Sequence, residues 1–177
     1  KKVTLELGGN AAVILDETLS DSDLAAIIPK LIYGAYSYSG QKCISIQRIY
    51  VVAHNGDRLY RTVCDQMAAA TQRVVTGDPR DPAVLVGPMI DENNARRVES
   101  WIAEAADLGA RKLVCGQRQG TFVPPTLLAD VPRKAKVVCE EVFGPVCSID
   151  QVPSFEAALA AVNDSRFGLQ AAVFTHD

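Results

Sequence analysis

Histidine is scarce in this chain: 177 residues contain only His54 and His176, and neither stands at a metal-ligand spacing from the other or from a cysteine. Structural zinc sites need several such donors in close register, so none is expected. The five cysteines, Cys43, Cys64, Cys115, Cys139 and Cys147, are odd in number and include no C-x-x-C pair. The chain is not small enough to need disulfide staples, and reduced thiols in a reducing compartment are the simpler reading. Long apolar runs are missing as well. The longest, such as Ala83 to Val86, fall far short of the roughly 20 residues that cross a bilayer. The opening Lys-Lys-Val-Thr-Leu-Glu-Leu lacks the apolar stretch and small-residue cleavage site of a signal peptide. Basic blocks are absent too: 18 Lys and Arg are scattered among 21 Asp and Glu, for a net charge of -3, which argues against a nucleic-acid partner. A soluble cytoplasmic domain with no membrane or nucleic-acid partner is the expectation.

What is present is enough for a core. Hydrophobic residues make up 48% and charged residues 22%, an ordinary globular balance in a chain the size of one domain. Short β-rich runs alternate with segments of helical period. Ala12 to Leu15 reads as a strand. Ser20 to Asp23 has the form of a capping box, and Leu24, Ile27, Ile28, Leu31 and Ile32 fall on one helical face behind it. Pro29 predicts a kink or a late start in that helix. Arg48 to Ala53 is a second strand. Behind a cap candidate at Asn55, Leu59, Val63, Met67 and Ala70 recur every three or four residues. Gly77 to Pro82, with two prolines and a glycine, is a loop. Asp91 opens a helix with Ala95, Val98, Ile102 and Ala105 inward, and Gly109 ends it. Short strands are predicted at Lys112 to Cys115, Lys136 to Cys139, Val146 to Ile149 and Gln170 to Phe174. Ser154 caps a helix carrying Phe155, Leu159 and Val162. Strand alternating with helix implies crossover connections, hence one α/β domain with a mainly parallel sheet and helices on both faces. Both chain ends read as cut, as though residues 1–177 were a piece of a longer chain.

Three short segments carry chemistry. Cys43 closes Ser39-Gly40-Gln41-Lys42-Cys43, between a helical segment and a buried-looking strand, where α/β folds gather their ligands. Gly40 allows close backbone approach, and Lys42 is a cation that could favour the thiolate. A cysteine is more often a small core residue, a role that suits Cys64, Cys115, Cys139 and Cys147 in their apolar segments; for Cys43 the two readings are evenly matched. Leu5-Glu6-Leu7-Gly8-Gly9 sets a lone carboxylate between leucines before a double glycine. In a cleft, desolvation would make Glu6 a general base; on an open strand it is an ordinary exposed glutamate. In Glu140-Glu141-Val142-Phe143-Gly144-Pro145 a Gly-Pro turn fixes an acidic pair beside a ring. A carboxylate can accept from the vicinal hydroxyls of a ribose and a ring can flank a flat heterocycle, although a solvated acidic turn with a core Phe is the commoner case.

Taken in order, LELGG with Glu6, GQKC with Cys43, the turn Gly77 to Pro79, Gly87-Pro88-Met89-Ile90 and EEVFGPV from Glu140 to Val146 closely resemble the aldehyde dehydrogenase superfamily over essentially the whole chain. The resemblance implies that Cys43 attacks an aldehyde to give a thiohemiacetal, that hydride leaves to NAD or NADP, and that water activated by Glu6 hydrolyses the thioester. It also implies that the Cys43 N–H supplies half of an oxyanion hole, that Glu141 holds the nicotinamide ribose, that Phe143 backs the nicotinamide, and that the Leu7 carbonyl orients its carboxamide. No metal is implied. Residues 1–177 then form the nucleophile-bearing catalytic domain, without the family's dinucleotide-binding domain and C-terminal oligomerisation segment. The chain alone is accordingly expected neither to hold cofactor tightly nor to turn over aldehyde, and the full-length enzyme to be a homo-oligomer. The ELGGNA and SGQKC context is most similar to branches acting on small semialdehydes and hydroxyaldehydes. Three other readings stand beside this one: acyl transfer to coenzyme A, against which Glu6 weighs; a non-catalytic α/β module with a buried or redox-sensing Cys43; and a Cys-His hydrolase using His54.

Overall fold

The computed structural model describes residues 1–53 and 58–177, and the suggested cap Asn55 and base His54 lie outside them. Six strands form one sheet: β1 Ala11–Leu15, β2 Ile46–Val52, β3 Arg111–Val114, β4 Thr126–Ala129, β5 Val146–Val152 and β6 Ala171–Phe174. Their order is β3-β4-β5-β2-β1-β6. Every neighbouring pair is parallel except β3 and β4. The helices are α1 Asp21–Tyr36, α2 Arg58–Gln72, α3 Glu92–Asp107, the short α4 Lys136–Cys139 and α5 Phe155–Asn163.

Period-two alternation sends side chains to both faces of the sheet. Val13 and Leu15 of β1 and Ile49 and Val51 of β2 are buried with Leu24, Ile28 and Leu31 of α1 and Val63 and Met67 of α2. The alternate residues Ala12, Ile14, Tyr50 and Val52 pack on Ala158 and Ala161 of α5. Strands covered on both sides read as continuous apolar runs, which is why β1 was visible in the sequence. A third cluster joins Ala95, Val98, Ile102 and Ala105 of α3 to Leu128, Val137, Val138 and Val146. Helix starts follow the predicted caps. Ser20 and Asp23 form the reciprocal capping box, and the side chains of Asp91 and Ser154 accept from Asn94 N and Ala157 N.

Three expectations are corrected. Helix α1 runs unbroken through Pro29, which lies on its exposed face, where the carbonyl that loses its partner can be hydrated. Lys136–Cys139 is helix and not strand: a turn begins where Ala135 N donates to Pro132 O, and Val137 and Val138 bury against α3. The place in the sheet is taken by β4, directly after Pro124-Pro125. Helix α5 forms behind the Ser154 cap as expected; its buried face is Ala158 and Ala161, which pack with Tyr50, while Leu159 is 47% exposed. Finally, Cys64 and Cys147 are buried as expected of core thiols, but Cys115 and Cys139 are exposed.

The end of β5 carries a carboxyl that titrates unusually. Burial pushes Asp150 up to about 6, against the Val131 N–H that it accepts at 2.7 Å, with Asp130 and Arg133 nearby. Because the folded value lies above the unfolded one, the protonated form is favoured by folding. The contribution is therefore full below pH ~4 and lost as pH rises towards ~6. Asp150→Asn keeps an acceptor for Val131 and removes the buried charge. We expect it to raise stability at pH 8 by about 2 kcal/mol, and to have little effect at pH 4, as thermal melts at the two pH values would show.

Candidate active site

The nucleophile candidate sits where α1 hands over to β2. After Tyr36 the backbone makes one left-handed turn: Tyr38 has φ 55° and ψ 30°, Ser39 φ 58° and ψ 28°, and Gly40 φ 66°. For residues with a Cβ this conformation costs roughly 1–2 kcal/mol each. Gly40 is required for a second reason, since a Cβ there would lie 2.0 Å from the Gly144 carbonyl oxygen. Gln41, Lys42 and Cys43 follow, Ser45 N donates to Lys42 O at 3.1 Å, and β2 begins. Cys43 is half-buried and free.

The double glycine of the leading segment meets this turn. A Cβ on Gly9 would lie 2.1 Å from the Cys43 carbonyl oxygen, so only glycine lets the two backbones touch. On its other side the Gly9 N–H donates to Glu141 Oε1 at 2.8 Å. Gly8, with φ +78°, leaves room for the same carboxylate, whose Oε2 would be 2.5 Å from a Cβ there. Three of the sequence segments singled out for chemistry thus converge on one point, with Gly9 wedged between Cys43 and Glu141.

Sequence reading missed the groups that hold the Glu141 loop. Gln47, buried on β2, donates from Nε2 to Val137 O at 2.9 Å and Glu140 O at 2.6 Å, and its Oε1 accepts from Val142 N at 3.0 Å. Asn10 Nδ2 donates to Val138 O at 2.7 Å, and Arg97 Nη2 to Val142 O at 2.7 Å. Buried Arg48 ties Asn10 O to the last carbonyls of α5, Ala161 O and Val162 O. A signal was available: Gln47 and Arg48 interrupt an otherwise apolar strand, and buried polar groups are normally hydrogen-bonded. Phe143, at φ 48°, stands out from this clamped loop with 40% of its surface exposed.

The remaining predicted residues are placed differently. Glu6 and Leu7 belong to the exposed leading segment, Leu7 being 78% exposed, so Glu6 lies in no cleft of this chain. Lys42 is engaged at the end of α1. Its ammonium donates to Ser37 Oγ and to Tyr33 O near the C-terminal end of α1, and burial lowers its pKa. The cation suggested to favour the thiolate thus makes its hydrogen bonds to the Tyr33 carbonyl and the Ser37 hydroxyl. Among the described residues no three or more His, Cys, Asp or Glu side chains are grouped for a metal ion. A half-buried carboxylate with lone pairs to spare and an exposed ring two residues on do fit a ribose and a flat heterocycle.

Comparison with known proteins decides the family. The family model described as "Aldehyde dehydrogenase family" matches residues 1–177. The chain belongs to the aldehyde dehydrogenase family. Over its full length it is 39% identical to a 3-sulfolactaldehyde dehydrogenase of Priestia aryabhattai, covering 36% of that protein. It is 38% identical over 181 aligned residues to the succinate-semialdehyde dehydrogenase [NADP(+)] of Escherichia coli K12, again covering all of this chain and 36% of the relative. Among solved structures, aldehyde dehydrogenase 21 from Physcomitrella patens, in complex with the reaction product succinate, superposes with a TM-score of 0.91 at 40% identity. The match covers 100% of this chain and 36% of that one. Residues 1–177 thus span about 36% of the length of the curated relatives they match.

Proposed function

We propose that residues 1–177 supply the nucleophile-bearing catalytic part of an NAD(P)-dependent aldehyde dehydrogenase that oxidises a small aldehyde to its carboxylic acid. The observation that carries this reading is the convergence at Gly9, which touches the Cys43 carbonyl on one side and the Glu141 carboxylate on the other. A non-catalytic module has no need to bring a half-buried thiol-bearing turn, a double glycine and a carboxylate together.

In this reading the Cys43 sulfur, as thiolate, attacks the aldehyde carbon and forms a C–S bond. The negative oxygen that results is met by the Cys43 N–H; one such donor is commonly worth ~3 kcal/mol. A bound nicotinamide cofactor would supply the acceptor for the hydride lost when the thiohemiacetal becomes a thioester. Glu141 would hold the ribose hydroxyls, Phe143 would back the nicotinamide, and the Leu7 carbonyl would orient the carboxamide. Glu6 takes a proton from water, the oxygen adds to the acyl carbon, and the C–S bond breaks to release acid and the Cys43 thiolate. A carboxylate at position 6 favours water over coenzyme A as acyl acceptor. The relatives named for sulfolactaldehyde and succinate semialdehyde favour a small aldehyde bearing an anionic group. All five cysteines are free, which suits a cytoplasmic setting. No helix among the described residues is long and apolar enough to cross a membrane. We further propose that the full-length enzyme is a homo-oligomer, and that residues 1–177 by themselves neither hold cofactor tightly nor turn over aldehyde.

An activated ester tests the nucleophile without any cofactor. With p-nitrophenyl acetate, the sulfur bonds to the acyl carbon and p-nitrophenolate leaves with the electron pair of the broken C–O bond. Peptide mass spectrometry after an acid quench is expected to find acetyl on Cys43 before the exposed Cys115 and Cys139. Acetylation of those two with Cys43 untouched would overturn the assignment.

A further inference from the structure

The left-handed turn before Cys43 is held from outside itself. Gln41 reaches across to the segment 87–90 with both ends of its amide: Nε2 donates to Pro88 O at 3.2 Å, and Oε1 accepts from Ile90 N at 2.8 Å. Ser39 Oγ donates to Gly87 O at 2.9 Å in the same strip. That strip is a fixed support. Met89 is buried and its N–H donates to Thr121 O at 2.9 Å, while Val86 is buried and its N–H donates to Val75 O at 3.2 Å. Against Gly40 lies the Gly144 carbonyl, which a Cβ there would meet at 2.0 Å. Tyr38, by contrast, is 76% exposed, and its carbonyl accepts from the Gln41 N–H at 3.0 Å within the turn. Two residues with side chains therefore occupy a conformation they disfavour; besides the Gln41 N–H bond to Tyr38 O, the side chains that oppose relaxation from outside the turn are those of Gln41 and Ser39.

We propose that Gln41 is a positioning residue: its amide, clamped between Pro88 and Ile90, holds the left-handed turn 38–40 and so fixes where Cys43 presents its sulfur. This rests on the reading of Cys43 as the nucleophile and adds the device that aims it. Gln41 touches no reacting atom. Its effect is on how often the thiol is correctly placed, so the pH dependence of the reaction stays as it is while the rate falls. The same logic assigns the turn a set position whose strain is balanced by the clamp. Removing the clamp frees the turn, and removing the strain makes the clamp less necessary.

The five cysteines make the test self-controlled. Cys115 is an exposed reference thiol away from the turn, and buried Cys64 and Cys147 report opening of the core. In Gln41→Met, which keeps the length and loses both hydrogen bonds, acetylation of Cys43 by p-nitrophenyl acetate is expected to slow at least about tenfold relative to Cys115. The midpoint of its pH profile should not move, and Cys64 and Cys147 should stay protected. Adding Tyr38→Gly, which accepts the left-handed conformation at no steric cost, is expected to restore much of the lost rate. An unchanged Cys43 to Cys115 ratio in Gln41→Met would overturn the inference, and so would a slowed rate that Tyr38→Gly leaves unrepaired. If the Met variant exposes Cys64 and Cys147, Gln41→Glu is read by the same ratio, since it keeps the acceptor for Ile90 and loses only the donor. A wild-type chain whose Cys43 is never acetylated fails differently: it removes the nucleophile reading itself.

Discussion

Gly9→Ala is expected to lower the melting temperature by about 6–12 °C and to displace Cys43, for a reason that involves a single methyl group. The backbone at Gly9 has no positive φ, so alanine is conformationally allowed there, and the penalty is purely one of space. The new carbon would stand 2.1 Å from the Cys43 carbonyl oxygen and 3.2 Å from its carbon. Neither atom is the end of a flexible side chain. Both belong to a turn pinned by the Ser45 N–H to Lys42 O hydrogen bond and continuous with β2. Overpacking against such a neighbour costs about 3 kcal/mol, and in a domain of this size each kcal/mol moves the midpoint by about 2–4 °C. Gly168→Ala is the control, because nothing lies within 4 Å of a Cβ at Gly168 and its φ is ordinary. Thermal melts of the two variants should separate widely. Equal melting temperatures would mean that the two backbones are not in contact.

The second large effect is kinetic. In the full-length enzyme, where the rest of the protein can enclose the leading segment, Glu6→Gln is expected to leave acetylation of Cys43 by p-nitrophenyl acetate unchanged and to slow hydrolysis of the acetyl-Cys43 adduct by about a hundredfold or more, the usual worth of a general base. Glu6 is exposed in this chain, so the substitution should cost little stability. It lies three residues before the Gly9 wedge, on a segment free of helix and strand that turns at Gly8. The measurement is the decay of adduct mass with time after excess ester is removed. Equal decay in the two proteins would take the base role from Glu6 and reopen coenzyme A, or another thiol, as the acyl acceptor.

How much of this was legible beforehand depended on the range of the interaction. Elements whose cause is local were read correctly: the caps at Ser20, Asp91 and Ser154, the inward face of α3, and the apolar runs of β1 and β2. Where tertiary contacts override local preference the reading failed. Val137 and Val138 favour a strand by side-chain shape yet sit in α4, because the α3 surface accepts them there. Strand β4 is only four residues long and follows two prolines, which mask it as loop. The site shows the same division. Cys43, Gly8-Gly9 and Glu141 stood out as motifs, but their meeting at one point depends on a hydrogen bond between residues 132 positions apart. The Gln47 and Gln41 clamps likewise join positions that no local pattern links.

The parallel order of the central strands has a consequence for how the protein comes into being. Parallel pairing needs a crossover for each neighbour, and β5 cannot join β2 until the chain has been made past residue 146. The Gly9 to Glu141 contact is itself a long-range pairing, which must meet its loop-closure cost before it forms. During synthesis the Cys43 segment emerges about a hundred residues before its carboxylate neighbour. A nascent chain thus exposes Cys43 before the Gly9 to Glu141 hydrogen bond beside it can form.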